Sequence, residues 1–461
     1  MNSSAVTGDI SYPTREDADL LSDYIVSTQS RQLPEEVFEK TALHILDSVA
    51  ASVSGMTLEA GRRAQDYVSL HGASGESTVF GSSLRSSVSF AAMANGMAAH
   101  ADETDDAHAP SRTHPGCSIV PSALAVGESR GSSGSDLVRA VALGYDICGR
   151  VPQALWSDLI EGGGLDHCLV AVGGLFGSAA AASYLLGHDI QEARFVLSYA
   201  TQHSSGLNTF MRETQHVEKA YVFGGMPSFN ATTIAFMVEA GWTGVDDVFS
   251  DKPSFYSLGP RPNPEALTQG LGTHFEVMVT KFKKYPAGSP AQSPLEGLLA
   301  ILRDNDLPAD EVKHVLVRLS PPRFRTVRRR AMGNLNIDYL LHVALEDRAL
   351  SLQAAHDEAR FRSWLARGPD SRITVEADPE LGTSHAAHVD VEMSDGRTFS
   401  HFVRAIPGSI ENPMSRDDVE SKALGLLAPT LGIDRAQGFI ASSRHLEDIE
   451  QVRDLTNWLS A

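Results

Sequence analysis

Pro260-Arg261-Pro262-Asn263-Pro264 divides the chain into two textures. On its N-terminal side the apolar residues recur with helical spacing. Pro34 opens a segment with Val37, Phe38, Ala42, Ile45, Leu46, Val49 and Val53 on one face and Gly55 at its end, which predicts a helix burying that face. Further helices are expected near 87–100, 117–128, 135–148, 172–187, 190–204 and 227–240, separated by turns containing Gly, Ser and Asp. Small-residue runs such as Gly177-Ser178-Ala179-Ala180-Ala181-Ala182-Ser183 predict close helix–helix approach.

Beyond the proline cluster, strand-like alternation appears at Val315, Val317 and Leu319, and again at Ile373 and Val375. Val389, Val391 and Met393 alternate with polar residues before Asp395-Gly396 and a run through Phe399, a hairpin signature. From about 414 helical periodicity returns, with Val419, Ala423, Leu424 and Leu427. The fold class expected is mainly α: an all-helical domain from residues 1–268 and 408–461, with a smaller α+β domain, 269–407, inserted.

Composition narrows the function. The 461 residues are 42% hydrophobic and 21% charged, which excludes disorder and coiled coil and suits two domains. A formal net charge of −20 repels nucleic acid and anionic membrane, so neither is expected as a partner, and an anionic substrate would need local positive charge. No run of eighteen apolar residues and no signal peptide is read at Met1-Asn2-Ser3-Ser4-Ala5-Val6-Thr7-Gly8-Asp9, so a cytoplasmic location is expected. Cys117, Cys148 and Cys168 are too scattered for a disulfide framework, a Cys-x-x-Cys metal site or an iron–sulfur cluster.

The densest polar stretch is His100-Ala101-Asp102-Glu103-Thr104-Asp105-Asp106-Ala107-His108 with Thr113-His114-Pro115-Gly116, holding four carboxylates and three imidazoles within fifteen residues. Acid/base and metal chemistry both use such groups, whereas a solvated loop would scatter them at the surface. The flanking segments, Ala91 to Ala99 and Ile119 to Val126, are apolar and place this loop at a core helix end. Lys219, before Phe223-Gly224-Gly225, is a candidate for a desolvated lysine, against the alternative of a snorkelling surface one. Lys281-Phe282-Lys283-Lys284-Tyr285-Pro286 puts three ammonium groups near the expected domain boundary, a common place for a cleft. His167 follows Gly162-Gly163-Gly164 and reads as structural without further support. Gly173-Gly174-Leu175-Phe176-Gly177 lacks the strand and Gly-Lys-Ser of a phosphate loop. The basic run Arg323 to Arg330 reads as a loop or an anion-binding rim.

At these residues the chain resembles the MmgE/PrpD family, which includes 2-methylcitrate dehydratase, cis-aconitate decarboxylase and iminodisuccinate epimerase. The resemblance rests on Ala94-Asn95-Gly96-Met97-Ala98-Ala99-His100 with Asp105-Asp106, on Thr113-His114-Pro115, and on the Gly-Ala-rich helix after His167. Lys219 with Gly224, Lys283-Lys284-Tyr285-Pro286, Pro407-Gly408-Ser409 and Glu411-Asn412-Pro413 complete it. It implies a helical domain built from both chain ends, an inserted α+β lid and a homodimer. It also implies catalytic groups at Glu103, His114, His167, Lys219 and Lys283.

The reaction expected is a cofactor-independent and metal-free lyase reaction on a small di- or tricarboxylate resembling 2-methylcitrate or cis-aconitate, losing water or carbon dioxide. His114 would move the proton with His167 as partner, Lys219 and Lys283 would stabilise the enolate-like charge, and Glu103 with Asp102 would orient imidazole or hydroxyl. Asp102, Asp106, His108, Lys284 and Gln292 are expected to contact substrate. Departures stand at Glu103-Thr104-Asp105-Asp106-Ala107, at Val222 where many members have histidine, and at Ala287 to Gln292. Three alternatives remain open: an epimerase or isomerase using the same base, metal-dependent hydrolysis through His100, Asp102, Asp106 and His108, and a non-catalytic carboxylate-binding relative.

Overall fold

The computed structural model describes residues 15–72, 74–156, 166–250, 253–259 and 261–460. Pro260, the glycines 162–164 and the segment 1–9 used in the sequence reading lie outside the described residues. The protein is mainly α. Its first part runs α1 (Arg15–Ser27), α2 (Glu35–Gly55), α3 (Glu59–His71), a short pair β1 (Ser77–Thr78) and β2 (Arg85–Ser86), then α4 (Val88–Ala101) and β3 (Ala107–His108). It continues through α5 (Gly116–Arg130), α6 (Gly134–Leu155), α7 (Leu169–Leu186) and α8 (Ile190–His203). After α9 (Val217–Ala220), a π-helical turn at Tyr221–Gly225 leads straight into α10 (Met226–Glu239).

Local chemistry sets these limits. Ser133 accepts from the Asp136 amide at the start of α6, and Asp189 with Glu192 forms a capping box on α8. Glycine lets helices touch backbone to backbone: a Cβ on Gly177 would lie 2.4 Å from the Gly144 carbonyl oxygen where α7 crosses α6. The same holds where the π turn meets α4, since a Cβ on Gly224 would lie 1.9 Å from Gly96 O. Gly173 and Gly174 lie inside α7 and serve packing. By length and composition α7, expected from the sequence as a helix over 172–187, is apolar enough to cross a membrane although Gly and Ser interrupt its apolar run. It is 89% buried inside the protein, as a core helix is.

The second texture begins after α11 (Glu265–Thr268) and β4 (Thr280–Lys281). There α12 (Gln292–Asp304) precedes β5 (Val312–Leu319), and α13 (Pro321–Val327), α14 (Ile337–Asp347), α15 (Leu352–Ala355) and α16 (Glu358–Arg367) lead to β6 (Ile373–Ala377), β7 (Ala387–Met393) and β8 (Thr398–Val403). The sheet order is β6-β5-β7-β8, with β5 and β6 parallel and the other pairs antiparallel. Val315, Val317 and Leu319 of β5 and Val389, Val391 and Met393 of β7 are buried, matching the alternation. Gly396, at φ +88°, makes the β7–β8 turn. Finally α17 (Arg416–Leu431), α18 (Ile433–Ser443) and α19 (Val452–Thr456) return to the helical body, α17 packing on α2.

Two cores result. Buried members of the helical core come from Ala18 through Phe282 and again from Val419 through Leu459, while those of the sheet-side core run from Tyr285 to Met393. Phe275, Val277 and Phe282 belong to the helical core although they follow residue 268.

Candidate active site

The acidic loop leaves α4 at its C-terminal end. Asp102 caps the helix, its Oδ1 accepting from the Thr104 amide at 2.9 Å and the Thr104 hydroxyl at 2.7 Å while the Ser54 hydroxyl binds Oδ2. Glu103 then takes a left-handed backbone, φ +59°, which turns its side chain into the protein. The loop closes through β3, which pairs antiparallel with β4 so that Ala107 faces Lys281. That pairing brings Lys283 to residues 178 and 180 positions earlier: its Nζ donates to Asp105 Oδ1 at 2.9 Å and Glu103 Oε2 at 3.2 Å.

Lys219 completes the charge cluster. Glu213 accepts the Val217, Glu218 and Lys219 amides at 2.7, 2.7 and 2.9 Å, fixing the start of α9. Lys219 Nζ donates to Glu103 Oε1 and sits 5.1 Å from the centre of the Phe223 ring. Glu103 thus carries two ammonium partners, and Asp105 bridges Lys283 on one oxygen and two imidazoles on the other: His100 Nδ1 at 2.8 Å and His114 Nδ1 at 3.1 Å. With Nδ1 held by Asp105, Nε2 of His114 is the nitrogen left to serve the cavity.

Electrostatics follow from this wiring. Burial would raise both carboxyls, but Lys219 and Lys283 hold Glu103 well below the usual range, and His100, Lys283 and His114 do the same for Asp105. Burial lowers Lys283, yet Asp105 and Glu103 outweigh it and raise the ammonium above its ordinary value. Burial pushes His100 down to about 3, so its imidazole is neutral.

These groups border a cavity of about 510 Å³. Glu103, His114, His167 and Lys219 line it together with Arg112, Asn208, Phe210, Phe223 and, from the sheet side, Ser289, Pro290, Thr326 and Arg330. Arg112, Lys219 and Arg330 against Glu103 leave a cationic lining in a chain of net charge −20, which concentrates anions. Arg112 and His216, like Glu103, are held in left-handed backbone, at φ +58° and +59°; such strain clusters at functional sites.

Four of the five expected catalytic residues therefore meet at one cavity, and Lys283 lies directly behind them, clamping Glu103 and Asp105 rather than lining the space. The five expected substrate contacts sit elsewhere. Asp102 is taken up by Ser54 and Thr104, and burial pushes its carboxyl up to about 7. Asp106 accepts from the Gly116 amide at 2.9 Å and Tyr145 at 2.6 Å, and His44 Nδ1 lies 2.8 Å from it. His108 donates from Nε2 to Glu276 at 2.7 Å and accepts from the Ser111 amide at Nδ1. Lys284 reaches outward to Glu296 at 2.7 Å. Gln292 uses both ends of its amide on the Lys284 and Tyr285 amides and the Tyr285 and Ala287 carbonyls. Each has its polar atoms committed to the scaffold. The same bonds disperse His100, Asp102, Asp106 and His108, so the hydrolytic metal set considered from sequence is not assembled.

Sequence reasoning missed Asp105 as the carboxylate behind His114, naming Asp102 and Glu103 instead, because the direction of each side chain depends on the Glu103 turn. It missed His216, whose Nε2 lies 3.3 Å from Glu103 Oε1, and Arg112. Arg330 was legible only as part of a basic run, and its guanidinium, half-buried beside the cavity, is lowered by burial against the opposing pull of Glu103.

The N-terminal domain model of the MmgE/PrpD family matches residues 19–262, and the C-terminal domain model matches residues 285–448. The chain belongs to the MmgE/PrpD family. Among curated MmgE/PrpD relatives it is similar to the cis-aconitate decarboxylase of Homo sapiens, 25% identical over 449 residues that cover 93% of this chain and 91% of that protein. The cis-aconitate decarboxylase of Mus musculus is 24% identical over 452 residues, covering 93% and 90%.

Proposed function

We propose that this MmgE/PrpD protein is a cofactor-independent lyase acting on a small di- or tricarboxylate. The observation that carries the reading is His114, oriented by Asp105 through Nδ1, at a cavity whose charged lining is mainly cationic. In the dehydration form, His114 Nε2 takes the proton next to a carboxylate, Lys219 stabilises the enolate-like charge, and the hydroxyl leaves with a proton from His167 as water. In the decarboxylation form, carbon dioxide departs with its bond electrons left on carbon, and a protonated His114 returns a proton there. Similarity to the human and mouse cis-aconitate decarboxylases favours the second form as the alternative to be tried first. Arg112 and Arg330 suit the remaining carboxylates.

We also propose that the sheet-bearing unit, beginning between Phe282 and Tyr285, is a lid over the cavity, and that the protein works as a cytoplasmic homodimer. Sedimentation tests the last point: a species at twice 49.5 kDa is expected.

Folded protein incubated with citrate-type and aconitate-type acids should change the absorbance of a conjugated carbon–carbon double bond or release carbon dioxide. Absence of turnover on every polycarboxylate would overturn the lyase reading. Incorporation of solvent deuterium without alkene or carbon dioxide would replace it by an epimerase using the same base.

A further inference from the structure

His100 Nε2 and both ring nitrogens of His216 are buried and make no hydrogen bond within the described residues. Buried polar atoms are normally satisfied, so three orphaned nitrogens in one site call for a physical account. The two imidazoles converge on one oxygen: His216 Nε2 lies 3.3 Å and His100 Nε2 3.7 Å from Glu103 Oε1. All three donor atoms lie within 4.8 Å of one another, and the rings meet edge to face at 78° rather than stacking. A tetrahedral zinc site with bonds of about 2.0–2.1 Å has ligand–ligand edges of about 3.3 Å, which the His216–Glu103 separation matches and the His100–Glu103 separation of 3.7 Å approaches. Behind His100, Asp105 holds Nδ1 at 2.8 Å and leaves the Nε2 lone pair facing Glu103, the carboxylate–histidine arrangement that orients metal ligands.

We propose that His100, His216 and Glu103 form a binding site for a borderline divalent transition metal, Zn²⁺ being the best match to two imidazoles and a carboxylate. Because Lys219 Nζ holds the same Glu103 oxygen, metal and ammonium compete, and metal occupancy switches the catalytic cluster off. His216 reaches the site from the residue before α9, three positions before Lys219 and on strained left-handed backbone.

The inhibitory consequence rests on the function proposed above; the site itself does not. Metal-stripped full-length protein titrated with Co²⁺ should bind one equivalent with the visible absorption of tetrahedral cobalt, and Zn²⁺ should displace it. His216→Gln is expected to weaken Co²⁺ at least tenfold. His342→Gln, in the half-exposed His342–Glu346–Asp370 group, should leave the affinity unchanged. Unaltered affinity in His216→Gln, loss of binding in His342→Gln, or no Co²⁺ uptake by the wild type would each overturn the proposal. X-ray absorption of the zinc-loaded wild type needs no variant to fold: two imidazoles with oxygen ligands support the site, and a single imidazole refutes it. None of these readouts requires turnover, so a wrong assignment of the reaction would leave them standing.

Discussion

The helical body and the sheet-bearing unit face the same cavity with different materials. From the body come Glu103, His114, His167 and Lys219, three of them buried or nearly so and tied into a network that reaches Asp105 and Lys283. From the sheet side come Gly288, Ser289, Pro290, Thr326, Leu335 and one charged group, Arg330. The body's groups are fixed by ion pairs and close helix crossings, whereas the sheet side offers shape and one cation. Among the described lining residues the titratable network thus belongs to one unit, and the other adds mostly uncharged surface.

The comparison breaks most visibly at His114. His114→Asn should lower kcat by about 10²–10⁴ while circular dichroism and melting stay those of the folded protein. A variant with wild-type kcat would move the proton-transfer role to His167. Next in size is the seam between the units. Lys283, 1% exposed and shared by Glu103 and Asp105, should cost about 3–5 kcal/mol of stability when changed to Met, read by urea unfolding, because two carboxylates lose a buried partner. Its neighbour Lys284, 38% exposed on Glu296, should cost at most about 1 kcal/mol.

A smaller effect sharpens the view of the body as scaffold as well as catalyst. Burial pushes the Asp102 carboxyl up to about 7, above its value in the unfolded chain. The folded state then binds the proton more tightly, so its contribution is full below about pH 4 and is lost as pH rises towards 7. Asp102→Asn should therefore stabilise the protein by about 1–3 kcal/mol at pH 8 and progressively less towards pH 5, measured as Tm against pH. The least effect is expected at Arg330→Met, a rise in KM of about tenfold with kcat held within threefold. A fall in kcat alone would place the sheet side in the chemistry.

Much of this architecture was legible because it is local. Spacing located α4 through α8, and alternation with Asp395-Gly396 located β7 and β8. His114, Glu103 and Lys219 could be named through family resemblance, since their motifs are contiguous in sequence. The illegible part lay in partners far away. Asp106 is structural because His44 and Tyr145 meet it, and His108 because Glu276 does, 168 residues on. Within one polar loop, successive carboxylates go to scaffold, to the ion-pair network beside the cavity and to scaffold again, and nothing in their types distinguishes them.

One contact of the C-terminal helix bears on how the protein is made. Lys422, on α17, donates to Asp47 at 2.6 Å and to the Thr104 carbonyl at 2.7 Å, so the acidic loop is anchored by a residue 318 positions further along the chain. A nascent chain that has emerged only through the sheet-bearing unit already contains every cavity residue but lacks this anchor and the buried apolar residues from Val419 to Leu459. The sheet-bearing unit, whose buried core residues all lie between Tyr285 and Met393, can be complete before the body that precedes it in sequence. Closure of the acidic loop thus depends on a residue 318 positions beyond Thr104, and a chain cut before α17 would carry the cavity residues without this anchor.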